Sequence, residues 1–172
     1  EKAAADAAKP ADASAKEPVK DQKYWSGRMR SLREDLDHNR MFVTALQSRL
    51  NALEADFVAK IREKAPQYDV VVVTDFGHGL ITPAAIQALT ESAKFLAINA
   101  QTNSANLGYN LVTKYPRADY VCIDAPEARL ASGDRFGDLG EVISKSLAAE
   151  IDSPRFVVTD GSEGCVAYNR DK

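Results

Sequence analysis

Apolar residues between Asp21 and Phe57 recur at alternating steps of four and three, which is the spacing of a heptad-repeat α-helix. This stretch contains no Pro and a single Gly near its start, so the pattern predicts one helix of about 40 residues with Asp21 as its N-cap. A repeat of this length favours a coiled coil, in which Asn39 selects the register or the number of strands. The alternative is a long helix that packs against its own globular domain. The repeated positions are Trp25, Met29, Leu32, Leu36, Asn39, Val43, Leu46, Leu50, Leu53 and Phe57.

The pattern changes after Pro66, which ends the helical stretch. Asp69 to Thr74 is a run of β-branched residues after its first position, typical of a parallel strand covered on both faces. Strands are also predicted at 95–99, 120–123, 155–159 and 165–168, and helices at 83–93, 127–131 and 138–150. Thr82 and Asp138 are the predicted caps of two of these helices. Strands that alternate with helices indicate an α/β domain with a mostly parallel sheet and flanking helices.

Composition adds little about partners. The 22 Lys and Arg against 25 Asp and Glu give a net charge of -3, which provides no electrostatic reason to bind nucleic acid or an anionic membrane. No apolar run reaches the roughly 20 residues that span a bilayer, so we expect a soluble, cytoplasmic protein. Residues 1–20 contain too few large apolar side chains to fold. The predicted organisation is therefore a disordered tail at 1–20, a helical or coiled-coil arm at 21–64 and a partial α/β domain at 65–172.

Ligands of parallel α/β sheets bind beyond the carboxyl ends of the strands, so the loops after each predicted strand are the candidate sites. After the first strand, Asp75 is followed by Gly77 and Gly79, which permit a ligand to approach the backbone. The alternative is a tight turn with a solvated Asp. After the second strand, residues 101–110 are rich in amides and hydroxyls that suit polyol or phosphate ligands, although polar loops are common on any surface.

Two further loops follow later strands. Asp124 and Glu127 place two carboxylates where a strand ends and a helix begins, and such a pair can hold a hydrated Mg²⁺. An N-cap Asp with a first-turn Glu explains the same residues without a metal. In the segment from Thr159 through Gly161 to Gly164, backbone N–H groups could lie close to a nucleotide phosphate or ribose. The alternative is a simple turn between two strands.

The order of these pieces resembles the second half of the PfkB carbohydrate kinases, which have the ribokinase-like fold. The resemblance extends over about residues 60–170. Within that family the segments look most like the kinase domain related to heptose kinase/ADP-heptose synthase. They are YDVVVVTDFGHGLITP, NAQTNSANLGYN, KYPRADYVCIDAPEARLA and FVVTDGSEGCVAY.

The resemblance implies ATP and Mg²⁺ as cofactors and a sugar or sugar phosphate as substrate. Asp124 and Glu127 match the family's Asn-x-x-Glu step, which organises Mg²⁺ and phosphates, with Asp in place of Asn. Thr159, Gly161 and Gly164 match the nucleotide side. The family's loop near the phosphates is matched by three other residues, Asp75, Gly77 and Gly79.

The sugar-binding half and the Gly-Ala-Gly-Asp motif of the family, which supplies the anion hole and the catalytic base, are not found in these 172 residues. No catalytic residue is therefore assigned. We expect a fragment or fusion of an ATP-dependent sugar kinase that is inactive alone. The alternative is a coiled-coil assembly protein, homo-oligomeric through residues 21–58, with a vestigial nucleotide-binding module.

Overall fold

A computed structural model of the chain describes residues 20–171. Its first element, α1, is a helix of 43 residues at Gln22–Lys64. Oδ1 of Asp21 accepts a hydrogen bond of 2.8 Å from the backbone N–H of Tyr24, which confirms Asp21 as the N-cap. A 3₁₀ turn that contains Pro66, Ala65–Gln67, follows the helix directly. Except for Lys20, the tail predicted at 1–20 lies outside the described residues.

Five strands form one sheet in the order β1-β2-β3-β4-β5. The strands β1 to β4 are parallel, whereas β5 runs antiparallel to β4. This architecture confirms the predicted α/β fold with a mostly parallel sheet, preceded in the chain by a long helix. The strands are β1 (Val71–Asp75), β2 (Leu96–Ala100), β3 (Tyr120–Asp124), β4 (Arg155–Thr159) and β5 (Cys165–Asn169).

Helices connect β1 to β2 and β3 to β4, and side chains cap two of them as the sequence predicts. Thr82 accepts from the N–H of Ala85 at the start of α2, and Asp138 accepts from Glu141 at the start of α4. The helix predicted at 138–150 contains a π-helical stretch in its middle. The helices are α2 (Pro83–Ser92), α3 (Ala125–Ser132), α4 (Leu139–Glu141), the π-helical stretch Val142–Leu147 and α5 (Ala148–Glu150).

The hydrophobic core lies on one face of the sheet. Fully buried strand residues such as Ile98 and Phe156 belong to the same cluster as Leu89 of α2 and Ile143. Consecutive parallel strands that are neighbours in the sheet, joined by right-handed crossovers, place their connecting helices on a single face. The alternate strand positions therefore point away from these helices, and we call them the open face.

The open face overturns one expectation for β1. This strand was predicted to be covered on both faces, but Val72 is 66% exposed while its neighbour Val73 is 6% exposed. The β-branched run gave no sign of this, because Val suits an edge strand as well as a central one. Both cysteines lie on strands as free thiols, and Cys165 is exposed. Among residues 20–171, no helix combines the length and apolarity that crossing a bilayer requires.

Candidate functional site

The four candidate loops leave the sheet at the same edge. Asp75, the last residue of β1, is in register with Ala100 at the end of β2. Asp124, the last residue of β3, is in register with Thr159 at the end of β4. These four residues end the four parallel strands, so the loops that follow them all begin at the carboxyl edge of the sheet.

Asp75 is buried in a network of hydrogen bonds. Its carboxylate accepts from the hydroxyl of Tyr115 (2.7 Å) and from the N–H of Gly77 (2.9 Å), and it forms an ion pair with Lys114. Burial raises the pKa of Asp75, but the hydrogen bonds from Lys114, Tyr115 and Gly77 and the charge of Lys114 outweigh it, so the pKa lies below its usual value. Burial, followed by the contact with Asp75, raises the pKa of Tyr115. Asp75 is thus a paired carboxylate with a structural role.

The loop after Asp75 is held against residues 101–110, which follow β2 and which we call the Asn-rich loop. The amide of Asn106 donates to the carbonyl groups of Phe76 (3.1 Å) and Gly77 (3.3 Å). The Asn110 amide donates to the carbonyl group of Asp75 (3.0 Å). Gly77 has φ +71°, and a Cβ there would lie 1.9 Å from Nδ2 of Asn106. A glycine is therefore required at this position by the loop itself, independently of any ligand.

Asp124 and Glu127 form a capping box at the start of α3. Oδ1 of Asp124 accepts from the N–H of Glu127 (2.8 Å), and Oε2 of Glu127 accepts from the N–H of Asp124 (3.1 Å). The second carboxylate oxygen, Oε1, accepts from the N–H of Thr102 (2.9 Å), which fastens the Asn-rich loop to α3. Burial first, and then the charge of Asp124, raise the pKa of Glu127, while the backbone N–H groups lower it. The net direction is upward.

The capping box limits how these two residues could hold a cation. Each carboxylate oxygen has two acceptor sites, so Asp124 keeps its second oxygen and Glu127 keeps one lone pair on each of its oxygens. Within the described part of the chain, no group of three His, Cys, Asp or Glu side chains is placed to hold a metal ion. A cation held by this pair would have to take its other ligands from water and phosphate.

The segment after β4 makes a tight turn with two left-handed glycines. The 3₁₀ turn Gly161–Glu163 lies between β4 and β5, and the N–H of Asp160 donates to the carbonyl group of Gly164 (2.8 Å). Gly161 has φ +52° and Gly164 has φ +101°, and a Cβ on either would meet no atom within 4 Å. Open space faces both glycines, so a ligand can reach this backbone.

A cleft of about 720 Å³ joins three of the candidate loops. Asp160 lines it from the turn after β4, and Leu107 from the Asn-rich loop. Two arginines also line it: Arg129 of α3, which donates to the carbonyl group of Gly137 (2.7 Å), and the exposed Arg135. The other lining residues are Ala125, Pro126, Leu130 and Gly133.

The structure thus brings some predicted site residues together and leaves others apart. Asp124 lies in register with Thr159 and forms the capping box with Glu127 beside the cleft, whereas Asp75 and Gly77 are engaged with the Asn-rich loop. Gly79 has open space around it. The sequence reasoning missed Arg129 and Arg135, for which the only signal was two cations near the end of the capping-box helix, in Glu127-Ala-Arg-Leu-Ala-Ser-Gly-Asp-Arg135.

Comparison with known proteins is informative for part of the chain. No family model matches the chain. Over 120 residues, which are 69% of the chain, it is 27% identical to the bifunctional protein HldE of Geobacter metallireducens. The aligned part covers 24% of that protein, so the chain spans about a quarter of the length of the relative. The chain is therefore similar to one segment of a bifunctional HldE protein.

Proposed function

We propose that residues 65–171 form the nucleotide-binding part of an ATP-dependent sugar kinase of the PfkB type. The observation that carries the proposal is the cleft of about 720 Å³ at the carboxyl edge, which two arginines and the turn after β4 line together. A volume of this size suits a ligand as large as a nucleotide. The kinase-like order of motifs and the similarity to HldE agree with this assignment.

Different residues of the cleft contact different parts of the nucleotide. Leu107, Pro126 and Leu130 offer apolar surface for a base. The guanidinium groups of Arg129 and Arg135 attract phosphates and can donate two hydrogen bonds in parallel. ATP therefore binds with its base against the apolar wall and its phosphates toward the arginines.

The turn after β4 lets the phosphates or ribose pass close to the backbone. Gly161 and Gly164 carry no side chain into the open space in front of them, and the exposed Thr159 ends the strand that feeds the turn. Side chains at the two glycines would occupy this space. This is the physical reason for the Thr-x-Gly-x-x-Gly pattern at this position.

Asp124 and Glu127 would hold Mg²⁺ through water molecules and phosphate. A bound Mg²⁺ would neutralise part of the negative charge of the phosphates. The two carboxylates position the cation and at the same time cap α3. Asp124 places an anion where the resembled family has Asn, so ATP without a cation would be repelled and binding should depend on Mg²⁺.

We further propose that the 172 residues alone bind nucleotide without efficient turnover. They include no Gly-Ala-Gly-Asp sequence, the motif that the resemblance assigns to the anion hole and the base. Phosphoryl transfer depends on such electrostatic and positioning groups. The second ligand would be a sugar or sugar phosphate, and a protein that uses ATP in this way would work in the cytoplasm.

Titration calorimetry of the purified chain with Mg·ATP tests the binding. We expect saturable heat at millimolar nucleotide or below, and a weaker isotherm for Gly161→Asp, which puts a carboxylate in the path of the phosphates. Ser162→Asp is the matched control, because it adds the same charge one residue away without a glycine conformation at stake. No heat from the unaltered chain at millimolar Mg·ATP would contradict the proposal.

A coupled assay for ADP formation tests the absence of turnover separately. The expected rate with sugar and sugar phosphate substrates is indistinguishable from that without protein. A product rate well above that background would overturn the second part of the proposal while leaving nucleotide binding intact.

A further inference from the structure

Helix α1 carries a stripe of exposed apolar side chains. Along the helix, Leu36 is 48% exposed, Leu46 is 50% exposed and Leu50 is 59% exposed. Phe42, which lies beside this stripe one residue before Val43, is 59% exposed. A stripe of large apolar side chains in water is a surface for another helix.

The residues that flank this stripe on one side show a complementary order of charge. They occur every seven residues, each one position before an apolar stripe residue, and we call them the flank row. The row is Arg28, Asp35, Phe42, Arg49 and Asp56. Phe42 lies at the centre of this row. Residues at equal distances on either side of it carry opposite charges, Arg28 against Asp56 and Asp35 against Arg49.

We propose that α1 pairs with α1 of a second copy of this chain as an antiparallel coiled coil. In the register centred at Met41, Arg28 faces Asp56 of the other copy, Asp35 faces Arg49, and the two Phe42 rings meet. Flank-row residues face one another in antiparallel coiled coils, so every charged contact in this row is attractive. The apolar layers are then Leu36 with Leu46 and Leu32 with Leu50.

A parallel pairing fits the same residues less well. It would set Asp35 near Arg40 and Arg49 near Glu54 of the other copy, but also Arg28 near Arg33, a repulsion that symmetry repeats.

In the parallel arrangement, Phe42 would lie beside Gln47 of the other copy instead of beside a second Phe42 ring. The antiparallel arrangement has a single repulsion, between the two Arg40 side chains, and Arg40 already has a partner in Asp37 (3.7 Å).

Asn39 also favours the parallel form, as Arg40 does, because Asn39 would face its own copy and pair its amide there. In the antiparallel register it lies opposite Val43. The burial of two aromatic rings against each other and the removal of one repulsion outweigh that amide pair. Asp56 also pairs with Lys60 of its own helix (2.8 Å), so the central contact of Asp35 with Arg49 gives the clearest test.

Sedimentation equilibrium of charge variants of the full chain distinguishes the arrangements. We expect a dimer whose dissociation constant rises about tenfold in Asp35→Arg, since two attractive contacts become repulsive. Adding Arg49→Asp should restore the dimer, because the exchanged charges still face each other. Parallel pairing predicts the reverse, a double variant weaker than the single one. Circular dichroism checks that each variant keeps its helix.

Disulfide formation provides a second readout. In a chain with Cys122→Ser and Cys165→Ser, Phe42→Cys should oxidise to a cross-linked dimer. Leu32→Cys should not, because the two copies of residue 32 would lie about 27 Å apart along the axis. Cross-linking through Leu32→Cys, or a monomer at every protein concentration, would overturn the proposal.

Discussion

The hydroxyl of Tyr115 donates a hydrogen bond of 2.7 Å to the buried carboxylate of Asp75, a residue 40 positions earlier in the chain. This contact fastens the end of β1 to the segment that leads into β3. The resemblance matches Asp75 to a loop near the phosphates. In the structure, its carboxylate instead helps to hold the carboxyl edge of the sheet together.

Tyr115→Phe should lower the free energy of unfolding by about 2 kcal/mol, since a buried, charged acceptor loses a donor. Tyr109→Phe is the control, because Tyr109 is 92% exposed, and it should change stability by less than about 0.5 kcal/mol. Urea denaturation measures both. Equal effects of the two substitutions would show that the hydroxyl of Tyr115 contributes nothing.

Asp75 should make stability depend on pH in acid. Its pKa in the folded chain lies below the ordinary value of 3.8, so its stabilising contribution is present above 3.8 and is lost as the pH falls through the lowered pKa. Asp75→Asn should remove this part of the slope, and Asp171→Asn, at an exposed position, should leave it. Unfolding free energies between pH 2 and 5 test this, and identical slopes for both variants would argue against it.

Gly77→Ala should destabilise the chain more than Gly79→Ala. Both glycines have positive φ, +71° and +84°, so each substitution costs about 1–2 kcal/mol for the left-handed conformation. Only at Gly77 does the new methyl group collide with Asn106 and Asn110. The difference in unfolding midpoint between the two variants measures that collision, and no difference would mean that the Asn-rich loop simply moves aside.

The open face of the sheet predicts different costs for two adjacent valines. Val73→Ala should cost about 2 kcal/mol, because it removes buried methyl groups and leaves a cavity. Val72→Ala should cost less than about 0.5 kcal/mol, since Val72 is 66% exposed. Denaturation of the full chain compares them. A large cost at Val72 would show that this face is covered in solution.

Local signals in the sequence were sufficient for the elements themselves. Asp21, Thr82 and Asp138 each cap the helix predicted for them, and β4 occupies the predicted residues. These features depend on neighbours a few positions apart, which a single sequence displays directly.

The sequence did not predict contacts between residues that lie far apart in the chain. Nothing near Asp75 in the chain indicated Tyr115 or Lys114 as partners, and the apolar run of β1 could not show which of its faces lacked cover. The cleft arginines were missed for the same reason, because Arg129 and Arg135 become neighbours of Asp160 only when β3 and β4 pair. The candidate site was thus predictable as a set of loops at one edge, but its lining was not.

Amide chemical-shift mapping during a titration with Mg·ATP tests the central claim most directly. The account predicts saturable shifts at Arg129, Arg135, Gly161 and Gly164, and unchanged amides at Val72 and Ala167 on the open face. An absence of shifts at millimolar Mg·ATP, or shifts centred on the open face, would contradict a nucleotide site at the carboxyl edge.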